Sequence, residues 1–115
     1  MTVEKYTWQK VADHIQELNF AENNIAIADL MGKKICIAKH NNELFAFSLQ
    51  CPHAGGIMAD GYIDPKGIIV CPRHGYRYDM KNGRNISGEG YYLKHWLLSI
   101  RENGIFVSVE TPDWK

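Results

Sequence analysis

Hydrophobic and polar positions alternate in short runs along most of this chain, and turn residues separate the runs. Val3 to Trp8 predicts an opening strand with Tyr6 and Trp8 on one face. Val11, Ile15 and Leu18 then recur at helical spacing and predict a short helical turn. Asn23-Asn24 marks a turn before a strand at Ile25 to Ala28, and Met31-Gly32 turns the chain into Lys34 to Lys39. Asn41-Asn42 predicts a hairpin into Leu44 to Ser48, since Asn tolerates a positive φ better than most residues. Gly61 to Asp64 and Ile68 to Cys71 flank Pro65-Lys66-Gly67, which has Pro and Gly in the order a tight turn favours. Tyr76 to Met80 alternates into a hairpin at Lys81-Asn82-Gly83, and Ser87 to Gly90 is a loop. Leu93 to Arg101 and Ile105 to Glu110 make a closing hairpin about Asn103-Gly104. Short strands at these intervals predict an all-β, antiparallel fold, with no repeat, low-complexity tract or linker.

At 115 residues the chain has room for one domain around a single core. Its 13 basic and 13 acidic residues balance, so charge favours neither nucleic acid nor an anionic membrane. Met1 to Lys10 contains no apolar run, so no signal peptide, twin-arginine leader or membrane anchor is expected, and cytoplasmic residence is the default. Three Cys is an odd count. Cys36 lies in the alternating run Lys34-Ile35-Cys36-Ile37-Ala38 and is expected to pack as a small apolar side chain, with no disulfide.

The other two cysteines fall in short loops of matching design. The first reads Cys51-Pro52-His53-Ala54-Gly55-Gly56 and the second Cys71-Pro72-Arg73-His74-Gly75-Tyr76. Each offers one thiolate and one imidazole, so Cys51, His53, Cys71 and His74 together form a candidate four-ligand site for iron or zinc. The Pro after each Cys biases that Cys away from the helical region. Gly55, Gly56 and Gly75 lack a Cβ, which lets backbone N–H groups approach sulfur closely. Isolated Cys and His residues are more often core fillers or surface groups. A structural zinc site is the sharper rival, but its common spacing pairs Cys with Cys and His with His, whereas each loop here is mixed. His14, His40 and His95 have no ligand spacing. Trp8, Trp96 and Trp114 are expected to pack, and Asp60, Asp64 and Asp79 to be solvated turn and strand-end groups.

Cys-x-His followed after a spacer by Cys-x-x-His resembles the signature of Rieske-type iron–sulfur proteins, in which two Cys hold one iron of a [2Fe–2S] cluster and two His the other. The resemblance covers most of the chain. It implies a small antiparallel β sandwich with an inserted cluster-binding subdomain at about residues 49 to 80. It also separates branches of the family. High-potential members carry an extra Cys in each loop, joined by a disulfide, and the matching positions here are Gly56 and Arg73. They also place a Ser, bonded to a cluster sulfide, where this chain has Tyr76. Tyr78 is retained, and the resemblance implies that its hydroxyl can reach a Cys sulfur. The Pro-rich covering loop of many members corresponds to Ser87 to Gly90, which has no Pro and is expected to be more mobile. These departures favour the low-potential branch, namely oxygenase ferredoxins and the Rieske domains of oxygenases.

The resemblance thus implies a one-electron carrier passing electrons from a flavin- or iron–sulfur-containing reductase to a terminal oxygenase or another redox enzyme. Such a carrier is expected to be a monomer, with no nucleic-acid or membrane partner. Neither loop supplies an open metal position or a spare nucleophile, so no bond-making chemistry is expected. The chain also lacks room for the long catalytic domain of an oxygenase large subunit. One alternative is a small electron-transfer subunit of a larger oxidoreductase, of nitrite reductase or hydroxylase type. Another is a zinc-stabilised interaction module.

Overall fold

The computed structural model describes residues 6–52, 55–73, 75–88 and 90–110, without the side chains of Tyr6 and Glu110. Its strands in chain order are β1 (Tyr6–Ala12), β2 (Ile25–Leu30), β3 (Lys33–His40), β4 (Glu43–Ser48) and β5 (Tyr62–Ile63). The series continues with β6 (Ile68–Val70), β7 (Arg77–Asp79), β8 (His95–Trp96), β9 (Leu98–Arg101) and β10 (Gly104–Glu110). They form three antiparallel sheets, β1-β10-β9, β2-β3-β4-β8 and β5-β6-β7. The expected all-β antiparallel class is therefore observed. Among the described residues, no helix is long and apolar enough to cross a membrane.

Turn chemistry sets the hairpins. Leu30 pairs with Lys33 across Met31-Gly32, whose φ angles are 54° and 86°. His40 pairs with Glu43 across Asn41-Asn42, at 52° and 66°. Two consecutive positive φ values are what a two-residue hairpin needs to match strand twist. Asn meets that demand readily, whereas Met31 does so against its preference. The Asp29 carboxylate helps there by accepting from the Gly32 N–H at 2.7 Å.

The single core expected from chain length is instead two buried clusters, because the middle sheet is covered on both faces. Along β3 the residues Ile35 to Ala38 are all buried, and the strand period divides them. Ile35 and Ile37 join Ala26, Ala28, Leu30 and Ala46 against Ile105 and Val107 of β10. Cys36 and Ala38 face the opposite way, with Phe47, Met58, Ile69, Tyr78 and Leu93. Cys36 thus packs as the small apolar residue expected, fully buried. Burial, with a smaller contribution from the charge of Asp60, pushes its thiol up to about 12.

Three elements differ from the pattern-based expectation. Val3 to Lys5 lie outside the described residues, and β1 runs on to Ala12, so Val11 is a strand residue and only Ile15–Glu17 forms a helical turn. Lys10 and Ala12 pair with β10 on either side of Val11, where the register slips, and so hold this stretch in the sheet despite its helical spacing. The run from Leu93 to Arg101 is not one strand. His95 and Trp96 pair with β4, whereas Leu98 to Arg101 pair with β10. Between them the exposed Leu97 crosses from one sheet to the other, donating its N–H to Ser108 Oγ at 3.1 Å and accepting from Ser108 N–H at 2.9 Å. Corners of this kind let one strand serve two packed sheets. Trp8 is 39% exposed and lies under the Arg101 guanidinium, 5.0 Å from its ring centre, rather than in the core. Trp96 packs at the edge of the β10-facing cluster, and Trp114 lies outside the described residues.

Phe47 is fully buried in the cluster that also holds Cys51 and Cys71. We expect Phe47→Ala to cost about 3–5 kcal/mol of stability, which chemical denaturation would read directly. A loss below about 1 kcal/mol would mean the cluster collapses around the gap or is not closely packed.

Candidate metal centre

Cys51 and Cys71 begin loops that share one backbone frame. The Cys51 N–H donates to Gly56 O at 2.7 Å, and the Gly55 N–H donates back to Cys51 O at 3.0 Å. In the second loop the Cys71 N–H donates to Tyr76 O at 2.8 Å, and the Gly75 N–H to Cys71 O at 2.9 Å. Both loops therefore close at the same offsets from Cys. At the fifth position Gly55 and Gly75 have φ of 69° and 74°, the left-handed region where a Cβ is strained. Among the described residues a Cβ at either would meet nothing within 4 Å, so these two glycines supply a backbone angle rather than room.

Room is the task of Gly56. A Cβ there would lie 2.9 Å from Arg73 Cβ and 3.0 Å from Cys71 Sγ. The first loop thus rests directly on the second, and the two positions that match the disulfide of high-potential Rieske members lie side by side. Both cysteines sit in the core, Cys51 at 3% and Cys71 at 1% exposure. His53 and His74, the imidazole partners expected from the spacing, lie outside the described residues. Accordingly, among the described residues no group of three or more His, Cys, Asp and Glu side chains could hold a metal.

Tyr78, fully buried on β7, places its hydroxyl 3.3 Å from Cys51 Sγ, the contact expected of it. Burial first, then the hydrogen bond to Cys51, pushes its phenol well above the ordinary range, so the O–H stays protonated. A protonated phenol has one hydrogen to give, and a metal-bound Cys51 sulfur is a suitable acceptor.

Around the loops the structure recruits groups that local sequence did not mark. Asp64 is not a solvated turn residue, because its side chain is only 15% exposed and ion-pairs with Arg77 at 2.9 Å. Partial burial pushes its carboxyl up, but the Ile68 and Lys66 amides and the Arg77 guanidinium outweigh that and hold it below the usual range. Asn23 donates from Nδ2 to Ala59 O and Gly61 O, both at 2.8 Å, tying the start of β2 to the chain that follows the first loop. The stretch expected to be mobile begins under restraint, since the Arg77 N–H donates to Ser87 Oγ at 2.8 Å. The Ile86 N–H likewise donates to Arg77 O at 2.9 Å. Only long-range contacts reveal these roles.

Two buried thiols on loops in contact, one bonded by a tyrosine hydroxyl, fit a soft metal centre better than a polar binding pocket. Comparison with known proteins defines the class: the chain belongs to the Rieske [2Fe–2S] domain family, which matches residues 7–91. A Rieske domain implies a [2Fe–2S] cluster, and the paired cysteines suit half of its ligand set. Within that class, the chain is 18% identical over 89 residues to the ferredoxin component of the alkene monooxygenase system of Xanthobacter autotrophicus, covering 77% of this chain and 73% of the relative. Among solved structures, the ferredoxin of carbazole 1,9a-dioxygenase from Nocardioides aromaticivorans IC177 superposes with a TM-score of 0.73 at 20% identity, over 88% of this chain and 96% of its own. A putative NADH-dependent nitrite reductase small subunit from Mycobacterium tuberculosis superposes with a TM-score of 0.78 at 13% identity, over 95% of this chain and all of its own. The Rieske fold is thus established. The alkene monooxygenase and carbazole dioxygenase relatives are ferredoxin components of oxygenase systems, which are electron carriers.

The contact at Gly56 makes a separable prediction. Gly56→Ala must push Arg73 and Cys71 away, so in metal-free protein Cys71 should react faster with a thiol reagent. Gly55→Ala, with open space around it, should cost about 1–2 kcal/mol through φ alone and leave Cys71 reactivity unchanged. Equal reactivity in both variants would show that the loops part easily.

Proposed function

We propose that this protein is a one-electron carrier of the Rieske ferredoxin type, with Cys51, His53, Cys71 and His74 as the ligands of one [2Fe–2S] cluster. The observation that carries this reading is the pair of matching loops, each starting at a buried cysteine and each containing one histidine. By resemblance, Cys51 and Cys71 hold one iron and His53 and His74 the other. The [2Fe–2S] group supplies one-electron redox chemistry when bound, and neutral imidazoles in place of two thiolates ease its reduction by removing negative charge. The chain's own part is to seat the thiolates in a dry core, space the loops through Gly56 and donate the Tyr78 hydroxyl to Cys51.

The partners we assign are a flavin- or iron–sulfur-containing reductase on one side and a terminal oxygenase or similar redox enzyme on the other. The likeness to the alkene monooxygenase ferredoxin favours these partners, and we take the carrier to be monomeric and cytoplasmic. A fixed electron-transfer subunit of a nitrite reductase is the second reading, favoured by the backbone match to a nitrite reductase small subunit. Co-purification separates the two: a carrier is recovered alone, and a fixed subunit arrives with its large partner.

Protein purified in air should be red-brown and hold about two irons and two acid-labile sulfides per chain. After reduction it should give a rhombic EPR signal of mixed Cys/His ligation. Zinc in place of iron, with no sulfide, would reject the redox function and leave the interaction module.

The potential is expected near the lower end of the Rieske range, about −150 mV rather than +300 mV. No disulfide or sulfide-bonding Ser supports the reduced state at Gly56, Arg73 or Tyr76. Arg77 pulls the other way, but its charge is already paired with Asp64 and half exposed to solvent. Removing the Tyr78 hydroxyl in Tyr78→Phe should lower the potential by tens of millivolts, where about 59 mV is a tenfold change for one electron. Voltammetry on both proteins checks this, and an unchanged value would remove Tyr78 from the centre.

A further inference from the structure

The outer face of the β5-β6-β7 sheet carries an exposed apolar row with no part in the metal centre itself. Tyr62 pairs with Val70, and Val70 with Arg77. Arg77 stands opposite Ile86, one step along from the Tyr78–Asn85 bridge, and its carbonyl accepts the Ile86 N–H at 2.9 Å. Paired residues rise from the same face of a sheet, so Tyr62, Val70, Arg77 and Ile86 form one cross-strand row. The neighbouring row, Ile63, Ile69, Tyr78 and Asn85, is turned inward, and its first three members pack in the core that holds both cysteines. The first row therefore points outward. Exposure agrees: Tyr62 is 59% exposed and Ile86 45%, with Val70 buried between them.

Two features separate this row from scattered surface hydrophobics, which are ordinary. The first is place. Val70 immediately precedes Cys71, and Arg77 follows Tyr76, whose carbonyl closes the second loop on the Cys71 N–H. The row thus borders the second loop, and a partner's redox centre must come close to these loops because electron transfer falls steeply with distance. The second is charge. Arg77 is ion-paired with Asp64 at 2.9 Å. The next outward row adds Asp79, opposite Ile68, and Arg84, whose carbonyl accepts the Asp79 N–H. Together the two rows set Arg77 and Arg84 against Asp64 and Asp79, so this face is neutral. A neutral face that exposes a tyrosine ring and an aliphatic side chain gains from apolar contact and little from charge steering.

We propose that this row is a docking surface for the protein that delivers the electron, and that the partner meets it with an apolar, uncharged patch beside its own redox centre. This rests on the carrier reading above. Two exposed apolar side chains make a small interface, of the kind that forms and releases between turnovers. Tyr62 and Ile86 are its anchors.

The test uses cluster-loaded protein and a purified NADH-dependent flavin reductase. Iron, sulfide and potential are measured first, and Tyr62→Ser and Ile86→Ser should match the wild type in all three. Reduction by dithionite, a small molecule, should also be unchanged. The protein concentration for half-maximal reduction by the reductase should rise roughly tenfold in each variant. Ile100→Ser is the control: Ile100 is 58% exposed but lies on β9 in a different sheet, and its variant should behave as wild type. Between about 0.05 and 0.5 M salt the wild-type value should change by less than about twofold. Variants reduced as readily as wild type, an equal loss in Ile100→Ser, a steep salt dependence, or loss of the cluster in both variants overturns the proposal. So does a dimer, seen by sedimentation, that Tyr62→Ser dissociates, because a second copy would then be the occupant. Zinc without sulfide in the wild type overturns the carrier reading, and a loaded wild type that the reductase leaves oxidised overturns the partner assignment. A loaded wild type that is reduced, with unimpaired variants, sinks this inference alone.

Discussion

A sheet buried on both faces imposes the layout of this molecule. Once β3 carries apolar side chains on each side, something must cover both, and the chain supplies two different covers. One is the β1-β10-β9 sheet, packed on Ile35 and Ile37. The other is the β5-β6-β7 sheet with the loops at its end, packed on Cys36, Ala38 and Phe47. Cys51 and Cys71 belong to this second cover and share its core. Their sulfurs are therefore dry before any metal is considered. A metal held by these sulfurs would share that core, which would couple its binding to packing.

The two loops reach their thiols by the same backbone route although their histidines sit at different offsets. Closure from Cys to the residue five positions on is common to both, as is the left-handed glycine just before it. In sequence, His53 and His74 both lie between the residues that close their loops. Gly56 then fixes how closely one frame approaches the other. Angle at Gly55 and Gly75 and space at Gly56 are separate demands that one residue type happens to meet.

What the sequence made legible was local. Asn41-Asn42 and Met31-Gly32 carry their own turn chemistry, the strand alternation gave the all-β class, and the Cys and His spacing pointed to the family. What it hid depends on partners far along the chain. Nothing near Leu97 marks a change of sheet, because Ser108 on β10 makes the bonds that hold the crossing. Val11 looks helical until its strand finds β10. Asp64 looks solvated until Arg77 arrives from β7, and Asn23 looks like a turn residue until its amide is seen bonded to Ala59 and Gly61. The histidines remain a matter of spacing.

Strand β9 ends the outer sheet with only four residues, Leu98 to Arg101. Its last side chain lies flat across two rings, with the Arg101 guanidinium 5.0 Å from Trp8 and 4.7 Å from Phe106. A long apolar edge is a template on which a second chain can add a strand, and a short one closed by a charged residue is a poor template. The same cation that holds the aromatic surface of β1 and β10 therefore also makes the β9 edge a poor place for a second chain to add a strand.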